Sequence, residues 1–182
     1  FDARVWDAAK FSWDEALRLG AEYGVRNSQV TVIAPTGTIA LMMDCDTTGV
    51  EPDFALVKIK SLVGGGTMRI ANRTVPRALK RLGYSEPEIS AIVGHIEEQG
   101  TIEGAPGIRP EDLGVFDCAV KPASGTRAIS WQGHVKMAAA VQPFVSGGIS
   151  KTFNMPHETT VEEIMEAYIM AWKLGIKVFA VY

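Results

Sequence analysis

Apolar positions recur along this chain in two periods, and the alternation between them sets out an order of helices and strands. Ser12 with Glu15 three residues on forms a capping box, Ala16, Leu19 and Tyr23 share one helical face, and Gly24 stops the helix. The period then changes. Val30, Val32, Ile33 and Ala34, with Thr31 between them, are a short β-branched run of the kind buried on both faces of a parallel or mixed sheet. Residues 54–59 predict a short extended or helical piece. Thr74 with Pro76 in the first turn predicts a helix through Val75, Leu79 and Leu82 that ends at Gly83. Ser85 with Glu88 opens another, with Ile89, Ile92, Val93 and Ile96 inward and His95 toward solvent.

Residues 100–128 hold no sustained period and read as a long connection, which in a compact domain is usually functional or packed against a larger body. Ser130 starts a helix carrying Val135, Ala138, Ala139 and Gln142, which Pro143 must end or kink. A glycine-rich stretch at 146–152 passes into a short strand ending near Asn154 and Pro156. The last unit is a Thr160/Glu163 capping box, a helix with Ile164, Tyr168, Ala171 and Trp172 inward, Gly175 as stop, and a strand at 176–181.

The first and last units share one order, capped helix, glycine stop, apolar strand, so the chain reads as α/β with helices covering a sheet. The pattern does not choose between a barrel and an open sheet. The strands at 30–34 and 176–181 are expected in one sheet, parallel. At 182 residues, 47% hydrophobic and 21% charged, one sizeable core in one domain, 1–182, is expected. A net charge of −3 argues against a nucleic-acid surface. No apolar run approaches the roughly 20 residues of a membrane span. Two cysteines, Cys45 and Cys118, outside any CxxC, suggest reduced thiols in a cytoplasmic protein rather than a disulfide or zinc site. A start at Phe1 and a stop at Tyr182 inside a strand pattern suggest a fragment or excised domain.

The chemistry centres on residues 29–40, where the strand ends in Pro35-Thr36-Gly37-Thr38 and turns into a helix. The hydroxyls of Thr36 and Thr38 flank a glycine with no Cβ, and the amides of Gly37, Thr38, Ile39 and Ala40 open the helix. Such an end carries free donors and partial positive charge, and suits phosphate. The same turn can be a plain connection in which Thr36 or Thr38 is only the N-cap. No Gly-Lys-Ser/Thr loop and no Gly-x-Gly-x-x-Gly fingerprint is present. Glu51, before Pro52, is a catalytic acid or a turn-fixing carboxylate. Residues 58–66, with Lys58, Lys60 and three glycines, are a loop near an anion or a surface connection. Lys151 reads as an edge charge, and neither His134 nor Lys136 has a metal-spaced partner.

These residues resemble those of the adenosylcobalamin-dependent (class II) ribonucleotide reductases. The resemblance is carried by RNSQ at 26–29, APTGTI at 34–39, TGVEP at 48–52, GTIEGAP at 100–106, VFDCA at 115–119, QPFVSGGISKTFN at 142–154 and AWKLGIK at 171–177, in the family's order. It implies the second half of a ten-stranded α/β barrel, with the turn after the first strand holding substrate diphosphate through Thr36, Gly37, Thr38, Ile39 and Ala40. It also implies a ribonucleotide substrate, adenosylcobalamin as cofactor, the remainder of the barrel as partner and a possible homo-oligomer. Reductases of this class form a cysteine thiyl radical and convert ribonucleotides to 2′-deoxyribonucleotides. The radical cysteine's Asn-Pro-Cys-like motif is absent here, and neither Cys45 nor Cys118 matches a redox position, so no catalytic residue and no metal ligand is transferred. Family members often carry Ser at the position of Ala40. The competing readings are a non-catalytic nucleotide-binding module and a structural piece that completes a barrel with another chain.

Overall fold

The computed structural model describes residues 2–61 and 65–182. It divides into two compact units, Phe1–Thr31 and Val32–Tyr182. Of the segment expected as a loop at 58–66, residues 62–64 lie outside the described residues.

The first unit is built on one helix, α1 (Ala3–Tyr23). It starts nine residues before the expected cap at Ser12. Asp2 caps it, its carboxylate accepting from the Arg4 amide at 2.9 Å, and Ser12 is a mid-helix residue whose hydroxyl donates to Ala8 O at 2.9 Å. A serine hydroxyl can be satisfied either way, and the capping signature alone cannot tell the two apart. Gly24, at φ 77°, ends the helix as expected. The stripe of Ala16, Leu19 and Tyr23 is exposed rather than buried.

The second unit carries α2 (Gly37–Met42), an antiparallel hairpin of β1 (Val57–Ser61) and β2 (Thr67–Ala71), α3 (Val75–Arg81), α4 (Glu86–Gln99), α5 (Trp131–Val141) and α6 (Val161–Lys173). The local signals of the sequence hold well here. Ser85 and Glu88 close a capping box on α4, Thr160 and Glu163 another on α6, and Ser130 accepts from the Gly133 amide at the start of α5. Pro143 ends α5, which tightens to a 3-10 turn at Gln142–Phe144. His95, expected in solvent, is half-buried with Nε2 3.0 Å from Glu103 O. Tyr168 and Trp172, expected inward, are exposed, Trp172 at 77%, and α6 buries Ala167 and Ala171 instead.

The sheet is much smaller than the alternating pattern suggests. Among the described residues it consists of the hairpin, in register Val57↔Ala71, and two isolated parallel bridges, Ile33↔Ile149 and Phe153↔Val181. The run at 30–34 is not doubly buried: Val30 and Val32 are each 66% exposed. The parallel sense is nevertheless present. Ser150 N donates to Ile33 O at 2.8 Å on one side of the 148–155 segment, and Tyr182 N donates to Phe153 O at 3.2 Å on the other. The three extended segments thus lie side by side, with 148–155 in the middle. Gly148 makes this possible, because a Cβ there would stand 2.8 Å from Val178 Cγ2.

Among the described residues, two cores hold the unit. One joins α3 and α4 through Leu79, Ile92 and Ile96 to Ile102 and Phe116, so the connection at 100–128 packs into a core. Tyr84 donates to Asp112 Oδ2 at 2.7 Å, and Arg109 Nε reaches the same carboxylate at 2.7 Å. The other joins Trp131, Val135 and Ala138 of α5 to Ala167 and Ala171 of α6 across Phe153. This second core supports the middle extended segment and what it carries.

Candidate functional site

The strand–turn–helix at 33–42 is a strained turn held from outside. Thr36 sits at φ 53°, a left-handed conformation that costs a β-branched residue about 1–3 kcal/mol and persists only where neighbours impose it. Here two bonds impose it. Gly49 N donates to Thr36 Oγ1 at 2.8 Å, and Ala40 N donates to Thr36 O at 2.8 Å as the first bond of α2. The Thr36 hydroxyl also donates to Pro35 O at 2.8 Å. Its bonds are therefore spent inside the turn.

This divides the five residues singled out in the sequence. The amides of Gly37, Thr38 and Ile39 precede the first helical bond, and Thr38 is exposed. Ala40 is buried with its amide engaged by Thr36, so that amide is not open to a ligand. Gly37 is not in the left-handed region, and a Cβ on it would meet nothing within 4 Å. The glycine leaves space in front of the turn rather than serving the backbone.

The loop that holds Thr36 also walls a cleft of about 440 Å³, lined by Thr48, Glu51, Phe54, Thr152, Asn154 and Tyr182 among others. Asn154 and Tyr182 directly follow the bridged Phe153 and Val181, toward the carboxyl ends of their segments, the end at which open α/β sheets bind ligands. Gly49, at φ 55°, has its Cα packed so that a Cβ would lie 2.8 Å from Ala34 O. Turn and cleft wall are therefore one packed piece.

Behind the wall lies a buried charge cluster. Lys151 exposes 1% of its side chain and pairs with Glu51 Oε2 at 2.6 Å. Its ammonium also donates to Thr152 O at 2.7 Å and to His134 Nδ1 at 2.8 Å. Glu51 Oε1 accepts from the Thr152 amide. Burial, then the Lys151 charge, pulls the His134 imidazole down to about 4 against the opposing pull of Glu51. The ring is neutral, with Nδ1 as acceptor.

The edge-charge reading of Lys151 is thus corrected, and Glu51 emerges as a hydrogen-bonded wall residue. The signal was available. Ile149, Lys151 and Phe153 alternate at period two, which puts Lys151 on the buried face, and His134 lies at helical spacing between Trp131 and Ala138. Lys136, by contrast, is exposed. The glycine stretch at 146–152 is a turn: Gln142 Nε2 donates to Gly147 O at 3.0 Å and the Lys177 ammonium donates to Ser146 O. Lys58 is spent on Asp53 Oδ1 at 2.9 Å. Cys45 and Cys118 are free thiols, and burial pushes Cys118 up to about 12. No metal-binding group of His, Cys, Asp and Glu occurs among the described residues, and no helix there is long and apolar enough to cross a membrane.

Parallel extended segments, a turn into a helix and a cleft beside their carboxyl ends are the parts of an α/β fold. The chain belongs to the ribonucleotide reductase barrel-domain family, which it matches over residues 2–182. It is 60% identical over 181 residues to the vitamin B12-dependent ribonucleotide reductase of Streptantibioticus cattleyicolor, covering 100% of this chain and 30% of that protein. It is 54% identical over 180 residues to that of Rhodopirellula baltica, covering 99% of this chain and 17% of the relative. The vitamin B12-dependent ribonucleoside-diphosphate reductase of Mycobacterium tuberculosis is 34% identical over 157 residues, covering 86% of this chain and 21% of the relative. The chain therefore spans less than a third of the length of these relatives. Among solved structures, the Actinobacillus ureae class Id ribonucleotide reductase alpha subunit superposes with a TM-score of 0.58 at 21% identity, covering 90% of this chain and 27% of that one. That likeness carries the reductase barrel fold alone.

Proposed function

We propose that this chain is the substrate-phosphate-binding part of an adenosylcobalamin-dependent ribonucleotide reductase, contributing late strands of a ten-stranded α/β barrel over residues 1–182. The remainder of the barrel supplies the radical cysteine, and the complete cytoplasmic enzyme converts ribonucleotides to 2′-deoxyribonucleotides. The observation that carries this reading is the strained Thr36, fixed by Gly49 so that the turn and the cleft wall form one piece. Strain held by neighbours belongs at sites where geometry matters.

In this reading the amides of Gly37, Thr38 and Ile39 and the Thr38 hydroxyl take the diphosphate, Thr36 shapes the turn, and Ala40 anchors it through its amide. The cleft takes the nucleoside. At about 440 Å³ it lies in the range of small-ligand pockets and is too small for a corrin with its side chains. When bound to the complete enzyme, the cofactor supplies the radical.

Calorimetric titration of the full-length protein with a ribonucleoside diphosphate tests the reading. Binding that inorganic pyrophosphate competes away is expected, and failure of either ligand to bind overturns it. The 182-residue chain by itself is expected to form no deoxynucleotide with adenosylcobalamin and a dithiol, since neither of its cysteines matches the family's radical position.

A further inference from the structure

Lys151 is a cation that offers nothing to a ligand. An ammonium has three donors, and here they meet Glu51 Oε2 at 2.6 Å, Thr152 O at 2.7 Å and His134 Nδ1 at 2.8 Å. Glu51 is placed differently. Its carboxylate has about four acceptor sites, Lys151 and the Thr152 amide fill one on each oxygen, and its side chain is 23% exposed at the cleft wall. An acceptor with capacity to spare thus faces the cleft, with the Lys151 ammonium locked behind it.

The surroundings reinforce that polarity. Asp46 and Asp53 line the same cleft, and Lys58, which also lines it, is paired with Asp53. Arg73 Nε lies 4.0 Å from Asp46, so each of these carboxylates has a cation beside it, and the wall holds out acceptor oxygens to uncharged donors without an unpaired cation for phosphate among its described residues. A ligand with an anionic end and a hydroxyl-bearing end is sorted accordingly, anion away from Glu51 and hydroxyls toward it.

We infer that Glu51 accepts a hydrogen bond from a sugar hydroxyl of the bound nucleotide, and that Lys151 and His134 are positioning residues that hold its carboxyl group aimed at the cleft. This rests on the nucleotide reading above. His134 acts at one remove: a neutral ring with Nδ1 as acceptor takes the third ammonium donor, and its Nε2, buried without a partner among the described residues, leaves that ring no competing bond to turn toward.

The test compares three probes on the full-length protein: a ribonucleoside diphosphate, its 2′,3′-dideoxy analogue with the same base, and inorganic pyrophosphate. The wild type is expected to prefer the ribose form. Glu51→Gln should reduce that preference about tenfold, the worth of one charge-assisted bond, with pyrophosphate affinity unchanged. Lys151→Met should reproduce the loss, Lys151→Arg should keep part of it, and the ¹⁵N spectrum of wild-type His134 should show a neutral ring protonated on Nε2. An unchanged ribose preference in Glu51→Gln overturns the inference and leaves the nucleotide reading standing. Equal weakening of both nucleotides, or of pyrophosphate as well, makes Glu51 a structural residue and overturns it too. A wild type that binds none of the three removes the nucleotide reading and this inference together.

Discussion

The amide of Gly49 donates to the hydroxyl of Thr36 at 2.8 Å, and through that bond a loop thirteen residues downstream holds the strained turn that precedes α2. Gly49 is itself at φ 55°, with no room for a Cβ beside Ala34 O. Gly49→Ala should therefore cost about 1–3 kcal/mol of stability and weaken nucleotide binding in the same variant. Chemical denaturation and calorimetry on the full-length protein measure the two effects, and a neutral outcome in both would show that the loop does not support the turn.

Gly37 separates a ligand role from a backbone role. Its Cβ position is open and its φ is ordinary, so Gly37→Ala should leave the fold as stable as before or more stable by about 0.5–1 kcal/mol. Phosphate approaching that open space would meet the new methyl. Lower affinity for pyrophosphate at undiminished melting temperature is the expected result, and undiminished affinity would make the turn a plain connection.

Thr38 is exposed at the same turn with its hydroxyl available. In the complete reductase, Thr38→Ala should raise the KM for nucleotide roughly tenfold, about 1.4 kcal/mol, with a smaller effect on kcat, because diphosphate contacts are made before the radical step. Steady-state kinetics that show the loss in kcat alone would contradict this.

The Lys151 and Glu51 pair should behave as a buried charge pair. Lys151→Met strands the Glu51 carboxylate, and removing one partner of such a pair costs about 3–5 kcal/mol. Adding Glu51→Gln should recover part of that loss. A double-mutant cycle in urea gives the coupling directly, and strictly additive losses would mean that the two side chains touch without depending on one another.

His134 predicts an acid limb of stability. Its pKa falls from 6.5 to about 4 on folding, so between those values the unfolded chain holds a proton that the folded chain does not, and stability falls as pH falls. The contribution is complete above pH 6.5 and is lost progressively toward pH 4, about 3 kcal/mol in all. Denaturation midpoints across that range should decline in the wild type and decline less in His134→Asn.

What could be read from the chain alone is what neighbours in sequence decide. Ser85 with Glu88 and Thr160 with Glu163 close their boxes within one turn, Gly24 ends α1, and Pro143 ends α5, since each involves bonds spanning three or four residues. The ordered motifs likewise identified the family without any geometry. Ser12 marks the limit of such local evidence, because Asp2 capped the helix first and left Ser12 to bond Ala8.

Tertiary structure alone decided the site's construction. Glu51 and Lys151 are 100 residues apart, and Lys151 and His134 are 17 apart. The sequence reading made Lys151 an edge charge; only folding could supply the acceptors that make a buried ammonium tolerable. The same holds for Thr36, whose left-handed turn no local preference favours. Its conformation exists because Gly49 is carried to it by the fold, and an isolated peptide of that sequence has nothing to offset the strain.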